Sequence, residues 1–236
     1  MTIAEVILQK LTDLSDPKTA SVQLRFFKTG QGQYGEGDRF LGVSLPQTRR
    51  VVKEFFACAE WTDLEKLYAS AWHEARACAV LILVAKFEKA QTERERQEIF
   101  DFYVEHLPRA NNWDLIDISA YKIIGAYLAG KKDRKILFAL ARSKNLWEQR
   151  ASIVSTMYLV KCGEYEPTLM LAEKFFTHEH DLMHKATGWL LREVGKKDER
   201  VLRKFLDKHA ARMPRTMLRY SIEKLTLEQK KMYMEK

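Results

Sequence analysis

The segment Asn111-Asn-Trp-Asp-Leu-Ile-Asp117 places an aromatic ring and a carboxylate where they can act together. Asn112 is a natural helix cap, and Trp113 and Asp117, four residues apart, stack on one face of the helix it would open. Leu115, Ile116, Ile118 and Ile123 supply apolar contacts, so Trp113 and Asp117 need not both be buried. An aromatic face beside a carboxylate stabilises a developing cation, through the ring's negative face and through direct charge. A core tryptophan beside a capping aspartate is the structural alternative. Later segments repeat the theme with basic residues. Trp147 and Arg150 begin one helical pattern, Lys185, Trp189 and Arg192 share a face at spacings of four and three, and Arg215 and Arg219 form an i, i+4 pair. If equivalent faces of successive helices, including that of Arg76, line one surface, cations interleaved with tryptophan suit a nucleic-acid backbone. Salt bridges across a solvated face would account for any one of them as well.

Other chemistries find little support. No Gly-x-Ser-x-Gly occurs, and no cysteine has a motif marking a catalytic thiol. His178, His180 and His184 cluster, but only Glu179 and Asp181 stand near them, so the cluster reads as a solvated helix start and no metal site is expected. Gly30-x-Gly32-x-x-Gly35 matches the dinucleotide-binding fingerprint by letter. That fingerprint needs a strand before it and a helix opening inside it; here it follows a helical pattern, and no helix opens until Pro46. The Gly30–Gly42 stretch holds five of the ten glycines and reads as a connector, with phosphate-facing amides as the functional alternative.

The elements that must carry these residues are helices. The 3-4 spacing of apolar residues predicts helices over Ile3–Leu14, Lys18–Phe27, Pro46–Cys58, Trp61–Ser70, His73–Glu88, Thr92–His106 and Asn112–Leu128. After these come Asp133–Ser143, Leu146–Val160, Glu164–Thr177, His180–Val194, Asp198–Ala210, Pro214–Lys224 and Thr226–Met234. Asp16-Pro17 is a cap followed by a first-turn proline. No segment sustains strand alternation, so the fold is all-α. Alternate helices start at 73, 112, 146 and 180, intervals of 39, 34 and 34 residues, and Glu-x-Arg-Ala recurs at Glu74 and Glu148. That spacing predicts one domain over residues 1–236, an α-solenoid of HEAT-like helix pairs with a concave basic face.

The 236 residues can bury a substantial core. Apolar residues make up 46% and charged residues 31%, which excludes wholesale disorder. Lys and Arg number 40 against 32 Asp and Glu, a net charge of +8 that points to a polyanionic partner. Cys58, Cys78 and Cys162 are scattered, which fits a reduced compartment; Cys78 reads as a core residue. The longest apolar run, Ala77–Ala85, falls far short of a membrane span, and no signal peptide is evident, so a cytoplasmic protein away from membranes is expected.

Several strings together resemble the AlkD-type DNA alkylation repair proteins: Asn111–Asp117, Asn145-Leu-Trp-Glu-Gln-Arg150, and His184-Lys-Ala-Thr-Gly-Trp-Leu-Leu-Arg-Glu193. So do Phe26-Phe-Lys-Thr-Gly30, Tyr34-Gly-Glu-Gly-Asp38 and Pro214-Arg-Thr-Met-Leu-Arg-Tyr220, all in the same order from about residue 20 to 225. The resemblance implies a HEAT-like solenoid gripping duplex DNA, and monofunctional glycosylase activity on cationic N3- or N7-alkylated purines. By position, Trp113 and Trp189 would bracket the lesion's deoxyribose, Asp117 would be the catalytic carboxylate and Arg150 a backbone contact. Lys185, Arg192, Arg76, Phe26 and Arg219 are expected against DNA, with no cofactor and no obligate protein partner, the chain acting as a monomer. The sequence departs from the best-known members at Phe26, where they have Tyr, and at Asp181-Leu182, where they have a Phe pair. Its glycine-rich loop is also longer. The alternative is a non-catalytic relative that binds branched or distorted DNA.

Overall fold

In the computed structural model, which describes residues 1–235, the protein is all-α, and no strand forms among the described residues. One isolated parallel bridge joins Arg39 to Trp72. The chain divides into two compact units, the first ending at Ser119 and the second beginning at Ala120.

The first unit contains α1 (Ile3–Asp13), α2 (Pro17–Phe26), α3 (Leu45–Phe55), α4 (Trp61–Ala69), α5 (His73–Lys89), α6 (Glu93–His106) and nearly all of α7 (Trp113–Ala120). Thr2 and Thr92 close capping boxes on α1 and α6. Asp16 accepts from Lys18 N–H and Thr19 N–H ahead of Pro17, as the Asp-Pro pair predicts. α5 is the centre of this unit. Its Ala77–Ala85 run is apolar on every side, so the helix is buried nearly all round and packs against α1, α3, α4 and α6. Cys78 is fully buried there, and burial pushes its thiol up to about 12.

The helical stretch from Trp113 continues past the unit boundary through a π-helical turn, Tyr121–Gly125, into α8 (Ala126–Leu128). The π-turn has an identifiable setting. A Cβ on Gly125 would stand 2.2 Å from the Ser155 carbonyl, and the Ala120 carbonyl accepts from Ser155 Oγ at 3.3 Å. The second unit goes on with α9 (Lys135–Leu140), α10 (Leu146–Lys161), α11 (Glu166–Lys174), α12 (Asp181–Lys197), α13 (Glu199–His209), α14 (Arg215–Ser221) and α15 (Leu227–Met234). α10 packs between the π-turn and α12, and α12 between α10 and α14, while α11 and α13 flank α12. α10, α12 and α14 pack on one another in series, and α10 and α12 begin within a residue of positions 146 and 180, which the sequence spacing predicts as helix starts.

No helix among the described residues is long and apolar enough to cross a membrane.

Candidate active site

α7 starts after Asn112, a fully buried residue whose carboxamide oxygen accepts from Trp113 N–H at 2.9 Å. One turn of helix then carries Trp113, Asp114 and Asp117 into the wall of a cavity of about 310 Å³. Phe27, Phe40, Val43, His73, Glu74 and Ile118 also line it. Trp113 lies in an aromatic chain: its ring is 5.7 Å from Phe26, edge-on, and 5.4 Å from Phe27. Phe27 stacks on Phe40 at 5.0 Å, and Phe40 stacks on His73 at 4.5 Å. Such contacts lock an indole more firmly than packing area alone. Phe26 ends the chain with 60% of its surface exposed. Asp117 is half-buried. Behind α7, the Tyr103 hydroxyl lies 2.7 Å from Ser119 Oγ, which itself donates to the Leu115 carbonyl. Burial holds the Tyr103 phenol well above its ordinary value, and the Asp117 charge adds to this.

Beneath the aromatic chain runs a buried charge network. His73 is 3% exposed, with Nδ1 2.9 Å from Asp38 Oδ2 and Nε2 2.9 Å from Asp114 Oδ2. Burial alone would lower its pKa, but Asp114 and then Asp38 outweigh it and raise the ring to about 9. Asp38 in turn binds Arg76. Burial would raise the Asp38 carboxyl, yet His73 and Arg76 hold it below the usual carboxylate range. The next residue on α5, Glu74, is also buried, and its carboxylate accepts from the N–H groups of Leu41, Gly42 and Val43 at 2.9 to 3.1 Å.

Two expectations change here. Arg76 was expected on a DNA-facing surface; instead it is 5% exposed and held by Asp38 and, at 2.7 Å, by the Ser70 carbonyl. A buried carboxylate demands such a partner. The amides of the glycine-rich loop, the alternative phosphate cradle, are largely engaged within the protein. Those of Leu41, Gly42 and Val43 face Glu74, that of Gly30 faces Gln33, that of Gly32 faces Glu36, and that of Gly35 faces the Lys28 carbonyl. Gly42 has φ +86°, and a Cβ there would sit 2.1 Å from the Asp16 carbonyl, so the loop closes against the start of α2 at a position only glycine fits.

In the second unit, Asn145 caps α10 through Trp147 N–H and Glu148 N–H. Trp147 is buried, and Arg150 is 5% exposed, its guanidinium donating to the Leu182 carbonyl at 2.8 Å. Arg150 thus joins α10 to the first turn of α12. The histidine cluster caps that same turn: His180 Nδ1 accepts from Leu182 N–H, and the imidazole of His184 meets the His178 carbonyl. His178 Nε2 lies 2.8 Å from Gln149 Oε1. Burial holds both His178 and His180 below the ordinary histidine value. Further along α12, Lys185 pairs with Asp181 at 2.7 Å, Arg192 pairs with Glu223, and Trp189 is half-buried between them in sequence. Arg219 is exposed on α14. The sequence sets Trp113 and Asp117 side by side, and the structure adds His73, Asp38 and Asp114 next to them, which the sequence did not single out because their contacts span 35 and 41 residues. The only local signal was a histidine at the mouth of an apolar helix.

The family model for DNA alkylation repair enzymes matches residues 7–225. Among curated proteins none matches the chain. Among solved structures, the chain is similar to a "Predicted DNA alkylation repair enzyme from Enterococcus faecalis". The TM-score is 0.71, at 16% identity over 90% of this chain and 97% of that one, a likeness of fold. With a match over nearly the whole length, the protein belongs to the DNA alkylation repair enzyme family.

Proposed function

We propose that the protein is a monofunctional DNA glycosylase that releases cationic N3- or N7-alkylated purines from duplex DNA. The observation that carries this reading is the pairing of Trp113 and Asp117 on one turn of α7, in the wall of a cavity backed by Phe27 and Phe40. In the reaction, the bond between C1′ and the purine nitrogen breaks, and its electrons neutralise the base's positive charge. Because the leaving group is already cationic, no strong general acid is required. Positive charge moves to the sugar, where Asp117 stabilises it and orients the water whose oxygen bonds C1′; that water's proton passes to Asp117 or to solvent. The indole of Trp113 offers its negative face to the same charge.

Trp189, Lys185, Arg192, Arg219 and Phe26 are assigned to contacts with the DNA, and Arg150 supports the α12 turn that presents some of them. Alternate helices are read as HEAT-like pairs. The chemistry calls for no cofactor, and the chain is read as acting alone.

The test is release of free methylated purine from methylated duplex DNA by the wild type and by Asp117→Asn. The expected result is a loss of at least about 100-fold in release, the scale of one removed electrostatic stabiliser, with DNA affinity within about threefold. Loss of release and affinity together would make Asp117 a structural residue. The second reading, recognition of distorted DNA without excision, draws on Phe26, which offers an exposed ring without a hydroxyl, and on Asp181, whose charge is taken by Lys185. No release by the wild type, with binding intact, would establish it.

A further inference from the structure

We infer that His73 is a positioning residue for the reaction proposed above: clamped between Asp38 and Asp114, it fixes the first turn of α7 and thereby the aim of Trp113 and Asp117. The inference rests on the glycosylase reading and adds to it a residue outside the cation-stabilising pair.

The geometry fixes the charge of the ring. A carboxylate only accepts hydrogen bonds, and both ring nitrogens of His73 lie 2.9 Å from carboxylate oxygens. Both nitrogens must therefore donate, which only the imidazolium can do. A neutral ring would set a nitrogen lone pair against an oxygen lone pair, and His73 is itself almost wholly buried. The Phe40 ring stacked on the imidazole and the tilted Phe27 ring, its centroid 5.2 Å away, favour the cation further.

What the ring holds is Asp114. The other oxygen of that carboxylate, Oδ1, is buried and has no hydrogen-bond partner among the described residues, so Oδ2 on His73 is its anchor. Asp114 adjoins Trp113 and precedes Asp117 by three residues, almost one turn. A shift of Asp114 therefore moves both. The far side of the clamp is rigid, since Asp38 is also bound by Arg76.

The charged groups around His73 come from three elements. The glycine-rich loop supplies Asp38, α7 supplies Asp114 and Asp117, and α5 itself supplies Glu74 and Arg76. Glu74 is committed to the loop amides and Arg76 to Asp38. Asp38 and Asp114 raise the ring to about 9 against the effect of burial. The ring is charged and α7 is held below that pH, and the hold is lost above it.

The experiment is single-turnover release of N7-methylguanine from a methylated duplex, across pH, for wild type, His73→Gln, Asp114→Asn and Asp117→Asn. His73→Gln, able to donate to only one carboxylate at a time, is expected to slow the rate at saturating enzyme by about 30- to 100-fold, the scale of a small misplacement of reacting groups, with the Kd for DNA changed less than threefold. Asp114→Asn, which retains an acceptor for Nε2–H but not the charge, is expected to move the alkaline limb of the wild-type profile from near pH 9 to lower pH by about one unit. Should His73→Gln fail to fold, by circular dichroism and thermal melting, the displaced limb of Asp114→Asn decides the matter. Variants that are less stable yet keep the wild-type rate and limb would overturn the inference alone, with release by the wild type and not by Asp117→Asn still supporting the glycosylase. A wild type that releases no base overturns both.

Discussion

Two adjacent residues on α5 divide the work of holding the candidate site. Glu74 gathers the N–H groups of Leu41, Gly42 and Val43 onto one carboxylate, which fastens the end of the glycine-rich loop. His73 reaches both that loop, through Asp38, and α7, through Asp114. Hydrogen bonds to buried charges are worth more than neutral ones, and removing one partner leaves the other charge stranded. The clamp therefore makes stability depend on pH, with a sign set by the ring. Its pKa is raised in the folded protein, from 6.5 to about 9. Its contribution is complete below the unfolded value and disappears as pH rises through the folded one. The Tm of the wild type is expected to fall between about pH 7 and pH 10, and more steeply than that of His73→Gln. Parallel slopes for the two proteins would show that the ring is neutral when folded.

At the scale of elements, helix propensity and helix packing make opposite predictions, and Gly188 separates them. Replacing a mid-helix glycine by alanine stabilises an isolated helix by about 1 kcal/mol. In α12, however, a Cβ at Gly188 would lie 2.5 Å from the Met217 carbonyl and 2.5 Å from Tyr220 Cβ, so α14 would have to move away. Forcing atoms into a packed contact costs about 1–3 kcal/mol, and the contact includes backbone, which cannot swing aside. Gly188→Ala is accordingly expected to destabilise the protein by about 1–2 kcal/mol net, measured by urea unfolding. A more stable variant would mean that the crossing of α12 and α14 is looser than the structure has it. Gly125 makes the same kind of contact with α10, beside the π-turn. Close crossings at Gly125 and Gly188 join the π-turn to α10 and α12 to α14.

For the whole molecule, the net charge of +8 matters more than any single cation. Two of the expected DNA contacts, Arg76 and Arg150, are buried and engaged within the protein. Under the proposed function, backbone recognition falls to exposed and half-exposed cations such as Lys185 and Arg219. Each phosphate neutralised adds close to one unit to the slope of log affinity against log salt. With about four such contacts, affinity for duplex DNA is expected to fall by about 100-fold between about 50 and 200 mM salt, and the double variant Lys185→Ala/Arg219→Ala to flatten the slope by about two units. Fluorescence anisotropy with a labelled duplex reads both. An unchanged slope would take these two residues out of the DNA contact.

Features that depend only on neighbours along the chain were legible before folding. Asp16-Pro17 and Asn145 open helices because a cap needs only the next two or three amides, and both do so here. The Ala77–Ala85 run made α5 a central helix because an element apolar on all sides has nowhere else to go. Trp113 and Asp117 were legible as a pair because the helical period alone sets them on one face. Tertiary structure decided everything that joins distant segments. Arg76 has the spacing of a surface cation, and only the fold reveals Asp38 beside it. The clamp of Asp38, His73 and Asp114 has no sequence period, since its members come from a loop and two helices. Whether a charged side chain faces solvent or a buried partner is an electrostatic outcome of packing, and packing is settled only when the whole chain has folded.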